Sequence, residues 1–353
     1  MIYKLSDICD YVKGKVDISK LDLCTYISTE SMLPNKAGII ESSSLPNIKQ
    51  TQIYCAGDVL VSNIRPYFKK IWYATCDGGC SNDVLVFRAK NGVSKRFLYY
   101  VLADDKFFSY SMLNSKGTKM PRGDKRAIME YKVPKFSYEE QIKIAEILGD
   151  LDDKVAVNNE INRNLSEQLK AIFLKMFPTI TDNGSNTLEE IISFSNGKKR
   201  PDTEGKVPVY GGNGILSYTD KSNAENCVII GRVGAYCGSL YLSVEPCWIS
   251  DNAIKAKAKN SNSQMFIYYL LQELALSNRH IGTSQPLLTQ GILNAIHFNC
   301  PSEEDVISFC KKADDIQKLI DMNTIENKRL SELRDTLLPK LMSGELDVSD
   351  LYI

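Results

Sequence analysis

The sequence predicts an α/β (α+β) protein in which two similar globular domains are separated by two long antiparallel helices forming a coiled coil. Three observations support this. Apolar residues follow a heptad spacing across residues 139–177, the spacing returns 165 positions later, and short motifs recur as a pseudo-two-fold internal repeat. The predicted boundaries are 1–137 and 179–301 for the domains, 138–178 for the first helix, and 302–353 for the second helix and C-terminal tail.

The composition is that of an ordinary globular protein. Of 353 residues, 43% are hydrophobic and 24% charged, and the formal net charge is zero. No run approaches eighteen apolar residues and the start has no signal-peptide pattern, so we expect a cytoplasmic protein with no membrane contact. Ten cysteines form no C-x-x-C pair, which favours free thiols over a metal site. Between Cys76 and Cys80, the residues Asp77-Gly78-Gly79 predict a turn.

Charge is distributed unevenly along the chain. Residues 1–134 carry 20 Lys+Arg against 13 Asp+Glu, whereas residues 179–301 carry 10 of each and residues 302–353 carry 7 against 12. The excess of basic residues in 1–134 favours binding to a polyanion, whereas the excess of acidic residues in the second long helix favours a protein partner.

The first globular domain shows a series of elements. We expect a strand at 59–61 after a Gly57-Asp58 turn, a second strand at 83–87, and one core helix over 95–108. A Gly-Thr-x-x-Pro loop then begins at Gly117, and residues 129–134 return as a strand or extended segment.

Each long helix carries two asparagines in the middle of an otherwise apolar stripe. Antiparallel pairing of the two copies places Asn158 opposite Asn327 and Asn162 opposite Asn323. Buried asparagines disfavour a slipped register, because a slip would leave each amide against hydrocarbon.

The same pairing places Leu151 opposite Arg334, which then needs an acid nearby or a route to solvent. Pro178 and the polar run 181–186 end the first helix, and Ser343-Gly344 ends the second, in which Pro339 limits regularity. The alternative is two unrelated helices, each packed on its own domain.

The second domain repeats the landmarks of the first. Residues 59–62 match 228–231 at a shift of 169, and the Gly-Thr-x-x-Pro loop returns from Gly282 at a shift of 165. Gly211-Gly212-Asn213-Gly214 predicts a turn.

We find no motif for catalysis. There is no phosphate-binding G-x-x-x-x-G-K-[ST] loop, and no Asp-Pro-Pro-Tyr type tetrapeptide that would hold an adenine for methylation. The acidic pairs Asp152-Asp153 and Asp314-Asp315 are interpreted as solvated helix faces. We therefore predict no catalytic residue, no metal ligand and no cofactor in this chain.

Polar and basic loops recur in both domains and are the candidate binding residues. Lys and Arg neutralise phosphates, whereas Arg, Asn, Gln and Ser can recognise base edges. The alternative for any one loop is a solvated surface. The candidates for DNA binding are Asn63, Arg65, Tyr67, Lys69, Lys70, Lys116, Thr118, Lys119, Arg122, Lys125, Arg126, Lys199, Arg200, Tyr210, Asn213, Arg232, Tyr236, Arg279, Ser284 and Gln285.

Several motifs in this order resemble one known family, the specificity (S) subunits of type I restriction-modification systems, over essentially the whole chain. They are Gly57-Asp58-Val59-Leu60-Val61-Ser62, Asp77-Gly78-Gly79-Cys80-Ser81-Asn82-Asp83, Tyr138-Glu139-Glu140-Gln141, Gly231-Arg232-Val233-Gly234-Ala235-Tyr236-Cys237-Gly238, Trp248-Ile249-Ser250-Asp251-Asn252-Ala253 and Leu338-Pro339-Lys340-Leu341-Met342-Ser343-Gly344-Glu345.

The resemblance implies that each domain is a target-recognition domain for one part of a bipartite double-stranded DNA sequence. The helices would set the unread spacer and dock two methyltransferase subunits, which would bind S-adenosylmethionine. A complete restriction system would add two restriction subunits that use ATP. The second domain departs from a strongly basic pattern, because its last loop has fewer cations.

Two other functions fit parts of the sequence. A duplicated coiled-coil adaptor would bind only proteins, without salt-sensitive DNA affinity. A complete DNA-modifying enzyme would transfer methyl groups by this chain alone.

Overall fold

A computed structural model describes residues 2–180, 184–282 and 285–348. The helices are α1 (Leu5–Ile8), α2 (Lys95–Ala103), α3 (Asp105–Leu113), α4 (Lys125–Met129), α5 (Tyr138–Met176), α6 (Leu188–Ile191), α7 (Gln264–Glu273), α8 (Gln290–Asn294) and α9 (Glu303–Ser343). The strands are β1 (Ile2–Lys4), β2 (Cys9–Tyr11), β3 (Lys15–Asp17), β4 (Tyr26–Ile27), β5 (Gln50–Tyr54), β6 (Val59–Ser62), β7 (Ile71–Tyr73), β8 (Gly78–Cys80), β9 (Val84–Ala89), β10 (Ser115–Lys116), β11 (Arg122–Gly123), β12 (Lys132–Pro134), β13 (Asn186–Thr187), β14 (Ile192–Asn196), β15 (Val207–Gly211), β16 (Gly214–Thr219), β17 (Cys227–Gly231), β18 (Leu240–Ser243), β19 (Trp248–Ile249), β20 (Ala253–Ala258) and β21 (His297–Phe298).

The chain forms two compact units. The first unit contains residues 1–157 and 325–353, and the second contains residues 158–324. Each unit therefore includes one globular domain, about half of α5 and about half of α9.

The first unit contains two four-stranded sheets. The antiparallel sheet has the order β2-β9-β6-β7, and the mixed sheet has the order β3-β5-β8-β4, in which β4 and β8 run parallel. Side chains alternate along β6: Val59 and Val61 pack with α2 and the ends of the long helices, whereas Leu60 packs toward the second sheet. Both faces of β6 are buried, which explains its continuous run of apolar residues.

The second unit repeats this arrangement. Its sheets have the orders β14-β20-β17-β18 and β16-β15-β19. Val228 and Ile230 of β17 lie in the core beside α7, while Ile229 lies in the separate cluster on the other face. Residues 59–62 and 228–231, which match in sequence, therefore form equivalent strands whose side chains lie on equivalent faces.

The two long helices pair within each unit. In the first unit Arg334 Nη1 donates to Asp152 Oδ1 at 2.7 Å, so the predicted need of Arg334 for an acid is met by Asp152. In the second unit Asn323 Nδ2 donates to Asn162 Oδ1 at 2.8 Å, as the antiparallel register predicts. The facing of Asn158 and Asn327 stays a prediction. Pairing within both units contradicts the alternative of two unrelated helices.

The long helices begin at equivalent capping residues. The Ser137 hydroxyl accepts from the Glu140 N–H at 3.2 Å, and the Ser302 hydroxyl accepts from the Asp305 N–H at 3.2 Å. The second helix ends at Ser343 as predicted, followed by Gly344 with a φ of 75°. The polar run predicted to follow the first helix lies partly outside the described residues.

Two predictions about local structure were wrong. The single helix over residues 95–108 is two helices, because Asp104 adopts an extended conformation and its side chain caps α3 by accepting from the Lys106 N–H. The turn predicted at residues 77–79 is instead strand β8 inside the mixed sheet. Its glycines are needed since a Cβ on Gly78 would collide with the Thr25 carbonyl. The turn at residues 211–214 joins β15 to β16, as predicted.

Candidate nucleic-acid interface

In the first unit the structure brings together two loops that are separate in the sequence. Residues 63–70 follow β6, and residues 115–123 form the β10–β11 hairpin. The Arg65 N–H donates to the Pro121 carbonyl at 2.8 Å, and the Gly123 N–H donates to the Asn63 carbonyl at 3.3 Å. We call these two segments, joined by main-chain hydrogen bonds, the first crossing.

Asp83, from a third segment of the chain, binds both segments of the first crossing. The Asn63 N–H donates to the Asp83 carbonyl at 2.8 Å, and the carboxylate of Asp83 pairs with Arg122 at 3.0 Å. Asp83, which is not among the residues predicted to bind DNA, therefore holds both segments at the end of β6. Its signal in the sequence is its position directly before a buried strand.

The described residues of the second unit contain the equivalent crossing, formed by residues 232–238 together with 281–282 and 285–288. The Gly234 N–H donates to the Pro286 carbonyl at 2.9 Å, and the Leu288 N–H donates to the Arg232 carbonyl at 2.9 Å. The Arg232 N–H donates to the Asn252 carbonyl at 3.0 Å. Each donor and acceptor is the counterpart, at a shift of 169 or 165, of one in the first crossing. We call this the second crossing.

Glycine makes the hairpin of each crossing possible. Gly117 has a φ of 96° and Gly282 a φ of 85°, a region that residues with a Cβ rarely adopt. A Cβ on Gly282 would lie 2.7 Å from the Gln285 carbonyl oxygen, and one on Gly117 would lie 3.3 Å from that of Met120. The repeated Gly-Thr-x-x-Pro motif is therefore a hairpin tip in the first unit, where Thr118 and Lys119 are exposed.

Several candidate cations of the first unit are held by partners within the chain. Lys69 Nζ donates to Asp105 at 2.7 Å, and Lys70 Nζ donates to the Thr29 carbonyl at 2.7 Å. Burial lowers the pKa of Lys70. Because these ammonium groups support the loop, they are less available to an external phosphate.

Lys116 has a structural partner as well. Its Nζ lies 3.0 Å from Asp124, whose carboxylate also caps α4 by accepting from the Arg126 and Ala127 N–H groups. The hydrogen bond from Lys116, followed by those from Ala127 and Arg126, lowers the pKa of Asp124 to about 2. Lys116 remains largely exposed, so it can still attract a phosphate.

Three exposed cations beside the first crossing have no ion pair among residues 2–180, 184–282 and 285–348. They are Lys119, Lys125 and Arg126. Tyr67 and Phe68 of the same crossing are also exposed, and their rings contact each other in a tilted arrangement with centroids 4.7 Å apart. Unpaired cations and exposed aromatic rings in one crossing and the helix that follows it suit a nucleic-acid backbone and its bases.

The candidate residues of the second unit differ in their exposure to solvent. Asn213, Tyr236 and Gln285 are exposed, whereas Tyr210 is half-buried beside Tyr241. Burial raises the pKa of Tyr210, which acts mainly in packing.

Two arginines of the second unit donate to backbone carbonyls. Arg279 Nε donates to the Leu274 carbonyl at 2.8 Å. Arg232 Nη1 lies 3.5 Å from the Asp251 carbonyl, and the buried Nε of Arg232 has no acceptor among the described residues. Ser284 lies outside the described residues.

Lys199 and Arg200 lie on the exposed segment between β14 and β15. Arg200 lines a surface cleft of about 650 Å³ together with Ser217 and Tyr218. Tyr218 is 53% exposed and was not selected from the sequence, because the run Ile215-Leu216-Ser217-Tyr218 has the composition of a buried strand.

The described part of the chain has neither a metal-binding cluster nor a membrane-spanning helix. Within those residues no group of three or more His, Cys, Asp or Glu side chains is placed to hold a metal ion. None of the described helices has the length and apolar character needed to cross a bilayer.

Comparison with known proteins gives a consistent result. The family profile described as type I restriction modification DNA specificity domain matches residues 1–167 and 182–335. The type I restriction enzyme HindI specificity subunit of Haemophilus influenzae is 24% identical, over 98% of this chain and 99% of the relative. The MjaVIII specificity subunit of Methanocaldococcus jannaschii is 22% identical, over 99% and 93%. The solved type I restriction-modification S subunit from M. genitalium is 20% identical, with 97% and 96% coverage and a TM-score of 0.55, and shares the fold.

Proposed function

This chain belongs to the family of type I restriction modification DNA specificity subunits, and from that premise we propose that each of its globular domains recognises one part of a bipartite DNA sequence. The two crossings are the proposed contact surfaces. The comparisons support DNA specificity and give no support to a protein adaptor without it.

The proposal rests on the presence of an equivalent crossing in each unit. Three main-chain hydrogen bonds join equivalent atoms in both units, while the side chains on them differ. Phosphate contacts position a protein on DNA and side-chain contacts to bases give the specificity. A constant backbone with variable side chains is therefore what two recognition sites for two different short sequences require.

The charge of the two domains suggests unequal roles. The basic first domain offers unpaired cations at its crossing, and the second domain is neutral. We propose that the first domain supplies most of the phosphate contacts of this chain and that a methyltransferase partner compensates at the second.

We further propose that this chain is non-catalytic and acts within a complex with two methyltransferase subunits. The methyltransferases would bind S-adenosylmethionine, and two restriction subunits using ATP would join them in a full restriction system. Exposed apolar side chains on the long helices support a protein-docking role. They are Val157, Ile161, Leu174, Ile307, Leu319, Met322, Ile325 and Leu333. The unbroken helices of 39 and 41 residues would also fix the unread spacer.

The test is to express this chain with its methyltransferase and to sequence N6-methyladenine in the DNA of the cells. We expect a two-part motif with a modified adenine in each part. Exchange of one globular domain at Pro178 for that of a relative should change one part only. A change in both parts, or a methylation pattern without a two-part motif, would contradict the proposal.

A further inference from the structure

The first crossing holds one arginine in a backbone conformation that is unfavourable for it. Arg65 has a φ of 50° and a ψ of 64°, in the left-handed region. Its counterpart in the second crossing is Gly234, with a φ of 72°. Glycine adopts this region freely, whereas a residue with a Cβ is strained there. The first unit thus retains a strain that the second unit avoids.

A second residue of the same loop, Lys69, shows the same contrast, but its side chain has a structural role within the chain. Lys69 has a φ of 51°, and its counterpart Gly238 has a φ of 86°. The Lys69 ammonium binds Asp105, to which Lys36 also donates, so its side chain anchors the loop. A structural contact accompanies the strain at Lys69.

Arg65 has no such contact. Its guanidinium makes no hydrogen bond or ion pair within residues 2–180, 184–282 and 285–348, and its Nε is buried without an acceptor. A buried donor with no partner is unfavourable in the free protein and is typically satisfied by a ligand or by water.

Within the described residues, the hydrogen bonds of Arg65 involve only its main chain. Its N–H donates to Pro121, and its carbonyl accepts from the Phe68 N–H at 3.0 Å. Gly234 makes the equivalent bonds to Pro286 and from Cys237 without any side chain. A glycine at position 65 would therefore maintain the first crossing.

We infer that Arg65 is a specificity-determining residue of the first domain and reads a guanine in the major groove of DNA. The inference rests on the proposed function and names the chemistry of one contact within it. A guanidinium presents two parallel donors that match O6 and N7 of guanine. The exposed Tyr67 and Lys119 belong to the same crossing, and the exposed Lys125 begins the helix that follows it, so they suit the neighbouring DNA backbone.

The experiment compares wild-type, Arg65→Gly and Arg65→Lys chains, each expressed with the methyltransferase, by sequencing N6-methyladenine in cellular DNA. In Arg65→Gly, preference at one G·C position of one motif part should fall by about ten- to a hundredfold, with the other part unchanged. Arg65→Lys should relax the same position. The thermal midpoint of Arg65→Gly should be unchanged or higher by about 1–3 °C, because the strain is removed.

Asn35→Gly is the matched control. Asn35 has a φ of 56° and donates its N–H to the Phe68 carbonyl at 2.8 Å, so the change relaxes the same loop without removing a guanidinium. Its motif should equal that of the wild type.

Three results would overturn the inference: an unchanged motif in Arg65→Gly, relaxation of the same position in Asn35→Gly, or a lowered midpoint in Arg65→Gly with a full motif in Arg65→Lys. Relaxation at an A·T pair would overturn the assignment to guanine. A wild-type complex with no two-part motif would instead refute the proposed function itself.

Discussion

Asn323 donates a 2.8 Å hydrogen bond to Asn162 from the facing long helix, and Asn162 in turn donates to the Ile320 carbonyl at 3.3 Å. A polar pair in an apolar seam favours one register, because any other register leaves each amide without a partner.

Asn162→Ala should therefore destabilise the second unit by about 0.5–1.5 kcal/mol, since the Asn323 amide loses its acceptor. Urea unfolding followed by circular dichroism measures this. Asn164→Ala is the control on an exposed position of the same helix and should change stability by less than about 0.5 kcal/mol. Equal effects of the two substitutions would show that the pair has no particular role.

Asp152 joins three helices of the first unit. It accepts from Arg334 at 2.7 Å and from the Tyr100 hydroxyl at 2.8 Å, and the Arg334 side chain is only 16% exposed. Asp152→Ala leaves a largely buried guanidinium with only Asp335, which is 54% exposed, as its acceptor and should cost about 1–3 kcal/mol of unfolding free energy.

The neighbouring Asp153 provides the comparison. It pairs with Arg96 at 2.6 Å but is 61% exposed, so Asp153→Ala should cost less than about 1 kcal/mol. Denaturant unfolding of both variants separates the two cases, and a larger loss in Asp153→Ala would contradict this assignment.

Acid should weaken the cap of α4. The pKa of Asp124 is lowered to about 2 in the folded chain from its ordinary 3.8, so its stabilising effect is present above about pH 4 and is lost as the pH falls toward 2. The difference in thermal midpoint between wild type and Asp124→Asn should be constant near neutral pH, and the two midpoints should converge below about pH 4. In the second unit the equivalent cap is Thr289, so the difference between wild type and Thr289→Ala should not vary with pH over that range.

The unpaired cations should govern the salt dependence of DNA binding. Lys119→Ala and Lys125→Ala should each reduce the slope of log K against log salt by about 0.9 in the complex with the methyltransferase. Fluorescence anisotropy with a duplex carrying the recognised motif measures the slope. Lys4→Ala removes an ammonium that pairs with Glu130 at 2.7 Å and should leave the slope unchanged. A slope equally reduced by Lys4→Ala would indicate a diffuse charge effect.

The sequence was sufficient to predict the two long helices and the repeat, because both depend on spacing. Asn162 meets Asn323 as the heptad pattern requires, and residues 59–62 and 228–231 form equivalent strands. The break at Asp104 was missed because the apolar spacing continues across it and only the capping side chain marks it. At Gly78 the close approach of a strand distant in the sequence, rather than a local turn, requires glycine.

The candidate site was predictable as loops but not as individual contacts. The pairing of Lys69 with Asp105 joins residues 36 positions apart, and nothing in the local sequence distinguishes it from the unpaired Lys119. The joining of two loops into each crossing likewise depends on main-chain bonds that leave no trace in residue type.

Those main-chain bonds have an evolutionary consequence. Since Arg65 and Gly234 hold their loops through the same amide and carbonyl atoms, the identity of the side chain is decoupled from the integrity of the scaffold. If Arg65 reads a base as proposed, substitutions at such positions would generate a new target sequence without redesign of the fold.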